Sequence, residues 1–180
     1  MTQTDITIAG VGGQGSILAG VILGTAAVSH NGKFAAQTQA YSSELRGGFA
    51  ATWVIVSDAP IAFPRVTEPD VLVAQAQDSI NRFAKVLKPE GLLIVDSDMV
   101  TDIPDHIKRV YKVPATSVSR NDLGAPVVAN MIMLGALWRA TDVVSRAALE
   151  TAIVESVPKG KDKLNLNAFD LGAKAVEAQL

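Results

Sequence analysis

The sequence predicts an α/β fold: a Rossmann-like sheet, mostly parallel, with helices on both faces, in a single domain. Strand-like and helix-like segments alternate along much of the chain, which is the order of βαβ units. Residues 92–95 form a continuous apolar run, which is typical of a strand buried on both faces of a parallel sheet. A glycine-rich stretch, residues 10–15, joins an apolar strand to a long uncharged helix.

The periodicity and the turn residues give the elements in order. Six strands are predicted, at residues 6–9, 34–38, 51–56, 71–74, 92–95 and 109–113. Five helices are predicted, at residues 14–29, 78–87, 127–139, 145–157 and 167–179. In the first helix we expect Ser16, Gly20 and Gly24 to share the face that packs on the sheet, and Gly32 to follow its end.

The last predicted helix has Asn167 as its N-cap and Asp170 in its first turn. Its apolar stripe contains four residues, Phe169, Ala173, Val176 and Leu180. We assign residues 1–180 to one domain, because a chain of this length suits a single core.

The composition excludes several classes of function. Charged residues make up only 19% of the chain and hydrophobic residues 48%, so part of the apolar surface is expected to be buried against other chains. The net charge of −2 gives no indication of nucleic-acid or anionic-membrane binding. The longest apolar run, residues 17–28, is shorter than the ~20 residues of a membrane span, and we expect a cytoplasmic protein.

Cysteine and histidine usage limits the redox and metal chemistry of this chain. There is no cysteine, which excludes disulfides, a cysteine nucleophile and a cysteine-ligated iron–sulfur cluster within it. His30 and His106 are far apart and have no metal-ligand pattern nearby. No residue is assigned a catalytic role, since no nucleophile triad or carboxylate pair is suggested by spacing.

The glycine stretch is the first candidate site, with Gly12, Gly13, Gln14 and Gly15 as its binding residues. A helix that starts after such a turn presents free N–H groups and a positive dipole end to an anion. Three interpretations stay open: a dinucleotide site, a purely structural turn, and a site for the phosphate of another ligand. A dinucleotide site needs an acidic residue at the end of the second strand, and residues 36–39 contain none.

The second candidate is an interface or ligand loop that contains Tyr41, Glu44, Arg46, Gly47 and Gly48. An arginine can bind carboxylate or phosphate groups in bidentate fashion, and paired glycines allow close approach of another backbone. The structural alternative is a surface loop with a local ion pair between the glutamate and the arginine. The sheet topology should bring this loop and the glycine turn to the same carboxyl edge.

Weaker candidates have simpler structural interpretations. Asp96 and Asp98 follow a buried strand, where a carboxylate more often caps a helix than binds a ligand. A basic loop is predicted at Lys159, Lys161 and Lys163, and solvation is its simplest role. Met131, Met133 and Trp138 are expected in the core or at an interface.

Seven segments, taken together and in order, resemble the gamma subunit of 2-oxoacid:ferredoxin oxidoreductases. They are residues 10–19, 37–41, 44–48, 58–64, 69–74, 123–136 and 167–172, so the resemblance covers nearly the whole chain. Ser42 and Ser43 depart from the pattern, because relatives often have a glycine after the tyrosine. Segments 37–39 and 128–130 look most like the 2-oxoglutarate subgroup.

The resemblance implies one subunit of a hetero-oligomeric oxidoreductase, inactive alone, that converts a 2-oxoacid and coenzyme A (CoA) to acyl-CoA and carbon dioxide and reduces ferredoxin. Alpha and beta subunits, and in some complexes a delta subunit, would be the partners. They would hold the thiamine diphosphate, Mg²⁺ and iron–sulfur clusters, and this chain would hold no cofactor alone. Its implied role is an accessory domain that shapes the subunit interface and the CoA path, with Gly12–Gly15 and Glu44–Gly48 at that edge. The alternative is a free-standing nucleotide-binding or regulatory module.

Overall fold

A computed structural model describes residues 2–42 and 48–180. They form a six-stranded sheet in the order β2-β3-β1-β4-β5-β6. The strands are β1 (Gln3–Val11), β2 (Phe34–Tyr41), β3 (Phe49–Ser57), β4 (Val71–Ala74), β5 (Leu92–Asp96) and β6 (Arg109–Val113). All six predicted strands are present, and β4 and β6 have the predicted bounds.

The sheet is mostly parallel, as predicted, with one exception. β1, β4, β5 and β6 pair in parallel, whereas β3 is antiparallel to both of its neighbours, β1 and β2. Only residues 42–48 separate β2 from β3, and a parallel crossover needs about a dozen residues or more. The chain therefore turns back directly, and β3 separates β2 from β1.

The helices lie mainly after β1 and after β6. They are α1 (Ser16–Thr25), α2 (Gln77–Phe83), α3 (Ala115–Ser117), α4 (Ala129–Thr141), α5 (Arg146–Ser156) and α6 (Asp162–Glu177). A π-helical turn, Ala26–His30, extends α1, and 3₁₀ turns follow α2 and precede α4. Within the described residues, no helix combines the length and the apolar character that crossing a membrane requires.

The two faces of the sheet are covered unequally. Alternating residues of β4 show this: Val71 and Val73 belong to a large core shared with α1, α4, α5 and α6, whereas Leu72 and Ala74 face a smaller core that contains Ile80 of α2. The strand is buried on both faces because helices cover both. Met131 and Met133 of α4 are 1% exposed, which confirms that they belong to the core.

The closest helix–helix contact joins α4 to α6. A methyl group added at Gly172 of α6 would overlap the carbonyl oxygen of Ile132 in α4, and one added at Gly135 would overlap the carbonyl oxygen of Phe169. Glycine is needed at both positions because the opposing atoms belong to the backbone of another helix.

An aromatic and charged cluster lies beside this contact. The rings of Trp138 and Phe169 lie with their centroids 5.5 Å apart, and the Arg146 guanidinium lies 5.5 Å from the Trp138 ring centroid. Arg146 also forms ion pairs with Glu150 (2.7 Å) and Asp170 (2.5 Å). The cluster links α4, α5 and α6, although the Trp138 indole nitrogen has no hydrogen-bond partner among the described residues.

The start of the last helix differs from the prediction. α6 begins at Asp162, so Asn167 is not its N-cap and Asp170 is not in its first turn. The Asn165 side-chain amide donates to the carbonyl oxygen of Lys161 (2.8 Å), and an acidic residue in the first turn favours a helix start there. The predicted basic loop is therefore wrong in part, since Lys161 precedes the first helical residue and Lys163 lies within the helix.

Three of the four stripe residues predicted for the last helix are buried, whereas Leu180 is 70% exposed because it lies beyond the end of α6. On α1, Gly20 packs against the Thr52 side chain of β3, where an added methyl would lie 2.5 Å from Cγ2. Gly24 does not share that contact, because nothing lies within 4 Å of an added methyl there. Gly32 follows the helix with a φ of 63°, as predicted.

Candidate functional site

The turn after β1 is shorter than the sequence indicated. β1 continues to Val11 by pairing with β3, so only residues 12–15 separate it from α1. Gly13 and Gly15 have φ angles of 97° and 74°, which residues with a side chain rarely adopt. The α1 helix begins directly after Gly15 and has no side-chain cap.

Two glutamine side chains fill the inner part of this turn. The Gln14 Oε1 accepts from the backbone N–H of Val11 (2.8 Å), and its Nε2 donates to the carbonyl oxygen of Gln75 (2.9 Å). The Gln75 Oε1 accepts from the Ser16 hydroxyl (2.5 Å), and its Nε2 donates to the carbonyl oxygen of Gln14 (3.2 Å). The two amide oxygens thus occupy the Val11 N–H and the Ser16 hydroxyl, which are the donors that a phosphate would otherwise bind.

Gln75 was not identified from the sequence, although it directly follows the buried strand β4 and is only 2% exposed. A polar residue at the carboxyl end of a buried parallel strand was the available signal. The network gives the Gly10 end of the turn a structural function, because an added methyl at Gly10 would lie 2.5 Å from the Gln14 Oε1. The other end of the turn is open to solvent, with Gly13 exposed and Gly15 half-buried.

The turn is joined to the second candidate segment. The backbone N–H of Gly12 donates to the carbonyl oxygen of Gly48 (2.8 Å), and Tyr41, at the end of β2, is 64% exposed. The ends of this loop thus reach the same edge of the sheet as the turn. Glu44, Arg46 and Gly47 lie outside the described residues, so the ligand or interface role of the loop stays a prediction.

The sheet order bears on the dinucleotide interpretation. In a dinucleotide fold, the acidic residue that binds the ribose ends the parallel strand beside the glycine turn. Here β3 occupies that position and runs antiparallel to β1. The end of β2 is therefore one strand farther from the turn, and it contains no acidic residue within residues 36–39.

A cleft of about 360 Å³ opens beside Gly13 and Gly15, between the starts of α1, α4 and α6. Asn130 and Asn165 line it and are 3% and 8% exposed. The Asn130 amide donates to the carbonyl oxygen of Gly15 (3.3 Å). Neither asparagine was singled out from the sequence as a site residue; the available signal was a polar residue at a buried position of an apolar helix.

Asp96 has the structural role that the sequence favoured. It is 2% exposed and accepts hydrogen bonds from the Thr116 hydroxyl (2.6 Å) and the backbone N–H of Asp98 (3.2 Å). Asp98 in turn accepts from the backbone N–H of Ser117 (2.6 Å). Burial raises the pKa of Asp96 above 3.8, although the Thr116 hydroxyl opposes that shift.

The described residues contain no group of three or more His, Asp or Glu residues placed to hold a metal ion. His30 contacts Glu155 (2.8 Å) at the surface. Because the chain has no cysteine, its side chains do not fit an iron–sulfur cluster. Around the glycine turn, the described side chains offer hydrogen bonding by amides, and the carboxylates at the same edge of the sheet, Asp96 and Asp98, already accept hydrogen bonds from Thr116 and Ser117.

Comparisons with known proteins agree with this architecture. The model of the pyruvate ferredoxin/flavodoxin oxidoreductase family matches residues 5–175. The chain is 46% identical over 172 residues to 2-oxoglutarate synthase subunit KorC of Methanocaldococcus jannaschii, covering 94% of this chain and 92% of that protein. It is 31% identical over 161 residues to pyruvate synthase subunit PorC of the same organism, covering 87% of each.

The fold is similar to the crystal structure of a keto/oxoacid ferredoxin oxidoreductase gamma subunit from Geobacter sulfurreducens. The TM-score is 0.90 at 38% identity, over 99% of this chain and 98% of that one. The family match spans nearly the whole chain, and the relatives are of similar length. This chain therefore belongs to the pyruvate ferredoxin/flavodoxin oxidoreductase family, as a gamma subunit of a 2-oxoacid:ferredoxin oxidoreductase.

Proposed function

We propose that the complex of this subunit oxidises 2-oxoglutarate. The observation that carries the proposal is the difference between two relatives from one organism. Identity to the 2-oxoglutarate synthase subunit is 46%, and identity to the pyruvate synthase subunit is 31%. Both comparisons cover most of each chain, so the difference reflects sequence divergence over the whole domain and not an added segment.

The proposed reaction converts 2-oxoglutarate and CoA to succinyl-CoA and carbon dioxide. The electron pair released by the decarboxylation passes to ferredoxin. Thiamine diphosphate, Mg²⁺ and iron–sulfur clusters would be held by the alpha and beta subunits, with a delta subunit where one is present. We place this complex in the cytoplasm, as the composition predicts.

This chain's own contribution is positional. The described side chains around the glycine turn are amides, those of Gln14, Gln75 and Asn130, and an amide does not titrate near neutral pH, so it is no general acid or base. The neighbouring end of α1 lacks a side-chain cap and favours negative charge. We infer that this edge, with Gly12 to Gly15 and the loop that contains Tyr41 and Gly48, faces the CoA path or a partner subunit.

Co-purification from the native host, followed by turnover assays, tests the substrate. The purified complex should reduce ferredoxin in the presence of CoA with 2-oxoglutarate, and its kcat/KM for pyruvate and for 2-ketoisovalerate should be at least about 100-fold lower. The expected discrimination is large because a pocket built for a second carboxylate leaves its cationic groups unpaired with the smaller acids. Equal kcat/KM for pyruvate would contradict the proposed substrate while leaving the subunit assignment intact.

A further inference from the structure

The two edges of the sheet are protected differently. β6 is five residues long, and the Gln179 side chain covers its backbone at Lys112 by accepting from the N–H (3.0 Å) and donating to the carbonyl oxygen (2.8 Å). β2 is eight residues long, contains no charged residue and no proline, and pairs with β3 without a bulge. No described strand pairs with its outer side. Because such a strand is a template for another strand, we expect β2 to be paired in the assembled protein.

The outer side of β2 presents the backbone groups of its odd-numbered residues. The backbone N–H of Ser42 donates to the carbonyl oxygen of Phe49 in β3 (2.9 Å). In an antiparallel pair, residues that bond to the neighbouring strand alternate with residues that point away from it. The even-numbered residues of β2 therefore bond to β3, and the N–H and C=O groups of the odd-numbered residues point to the open edge. Gln37, Thr38 and Gln39, in the middle of this edge, are exposed.

The sequence of β2 is symmetric about Thr38. Its central residues read Ala36-Gln-Thr-Gln-Ala40, which is the same in both directions. Two antiparallel copies of the strand, related by a two-fold axis at Thr38, would place every one of these residues opposite an identical residue. The open backbone groups of Gln37 and Gln39 would then form the hydrogen-bonded pairs. Opposed threonines are a favourable cross-strand pair, and no charged side chain would meet its own copy.

A shallow groove between α1 and β2 matches the same arrangement. It is lined by uncharged residues of both elements, including Val21 and Val28 of α1 and Ala35 of β2. Val21 is 39% exposed and Val28 is 53% exposed. Tyr41 is 64% exposed and lies on the same face of β2 as Ala35, because an even number of residues separates them. In the register about Thr38, Tyr41 of the second copy lies opposite Ala35, so its ring would cover the groove.

We propose that β2 is a dimerisation edge, through which two copies of this chain pair across a two-fold axis at Thr38. The axis is perpendicular to the sheet, so the two six-stranded sheets form one continuous sheet with both α1 helices on the same face. The contact is isologous: each copy contributes the same strand and covers the groove of the other, and the assembly closes at two copies. The inference concerns assembly and does not depend on which 2-oxoacid the complex oxidises.

An extended segment of an alpha or beta subunit is the other occupant that an open strand edge admits. Such a segment would bind the backbone of β2 without requiring a strand whose sequence is the same in both directions. The symmetry about Thr38 and the match of Tyr41 to the groove at Ala35 therefore favour a second copy. Pairing with another subunit is the contrary outcome that the experiments have to detect.

The first experiment places charge on the two-fold axis. In analytical ultracentrifugation the wild-type chain should be a dimer. Thr38→Lys should raise the dissociation constant of the dimer at least about tenfold, because two like charges would lie directly opposite each other, and Thr38→Asp should do the same. An equimolar mixture of the two variants should restore dimerisation, since lysine then faces aspartate. Thr151→Lys, which adds the same charge at an exposed position of α5, should behave as the wild type.

The second experiment uses the absence of cysteine from the chain. In the proposed register Thr38 and its copy form a non-hydrogen-bonded pair, whose Cα atoms lie about 4.5 Å apart, within the range that a disulfide spans. Mild oxidation should therefore link two copies of Thr38→Cys, both in the isolated chain and in the assembled complex. Ala36→Cys is the matched control on the same strand and face, because it would lie about 13 Å along the strand from its own copy.

Two results would overturn the inference. One is a wild-type chain that stays monomeric up to its solubility limit, together with a Thr38→Cys complex in which no two copies are linked. The other is a Thr38→Lys chain that no longer binds the alpha and beta subunits and is not rescued by mixing with Thr38→Asp, which would assign the β2 edge to another subunit.

Discussion

Glycine serves different purposes in the turn after β1 and in the contact between α4 and α6. In the turn, Gly13 and Gly15 are needed for their φ angles of 97° and 74°. In the helix pair, Gly135 and Gly172 have no such backbone requirement, and they are needed because backbone atoms of the other helix occupy the space of a side chain. A turn can relax around a substitution, whereas two helices must separate.

The largest effect is expected for Gly172→Ala. The added methyl would overlap the carbonyl oxygen of Ile132, so α4 and α6 must move apart and disturb the core between them. We expect the free energy of unfolding to fall by about 3 kcal/mol or more, the upper end of overpacking costs. Urea denaturation of the isolated chain would measure it.

Gly24→Ala is the matched control for that substitution. Gly24 is also helical, but nothing lies within 4 Å of an added methyl. Alanine should therefore stabilise the chain by about 0.5–1 kcal/mol through its higher helix propensity. Similar effects of the two substitutions would show that the α4–α6 contact is looser than described.

An intermediate effect is expected for Gly15→Ala. The left-handed backbone should cost about 1–2 kcal/mol, and the methyl would also lie 2.5 Å from the Asn130 Nδ2. Because that contact is with a side chain, Asn130→Ala should relieve it. The double variant should lose less stability than the sum of the two single variants, by about 0.5 kcal/mol or more.

Gly13→Ala separates the cost of the left-handed backbone from the cost of the contact with Asn130. Gly13 also has a positive φ, but nothing lies within 4 Å of its added methyl. Its effect should be additive with that of Asn130→Ala in the same denaturation assay. If Gly15→Ala is equally additive, the close approach of Asn130 to the turn does not contribute to stability.

The smallest effect on stability is expected at Asp96. This residue lies at the same carboxyl edge of the sheet as the turn, but its carboxyl group titrates, whereas the amides of the turn do not. Burial raises the pKa of Asp96 above 3.8, so the folded state binds this proton more tightly than the unfolded state does. The contribution of Asp96 to stability is therefore greatest below pH 3.8 and is lost as the pH rises through the raised pKa.

The variant Asp96→Asn has a neutral amide at this position, which does not titrate. The free energy of unfolding of the wild type minus that of Asp96→Asn should therefore decrease as the pH rises from about 3 to about 7. Denaturation curves of both proteins over this range would measure the difference. A difference that stays constant, or that increases with pH, would contradict the assigned direction of the pKa shift.

Local sequence patterns were enough to locate the strands and most helices. β4 and β6 have the predicted bounds because each is a short run ended by turn residues. The antiparallel direction of β3 depends on the length of its connection to β2, which an apolar pattern does not express. α6 starts at Asp162 without a side-chain cap, so the search for a capping residue type led to Asn167, five residues too late.

The candidate site was predicted less completely. The glycine turn was located by its spacing, but the Gln14–Gln75 network depends on β4 lying beside β1, and strand order is a long-range property. The same holds for Asn130, which lies 115 residues from the Gly15 carbonyl that it contacts. Sequence patterns thus identify the loops that bear a site more readily than the side chains that other elements bring to it.

The cluster of Trp138, Phe169 and Arg146 gives the molecule an optical reporter. The chain has only two tryptophans, and the Trp138 indole N–H is buried without a partner among the described residues. The Trp138 ring lies against the ring of Phe169, and the carbonyl oxygen of Phe169 faces Gly135 across the α4–α6 contact. In a chain with Trp53 replaced by phenylalanine, the emission wavelength of Trp138 would therefore follow the separation of α4 from α6.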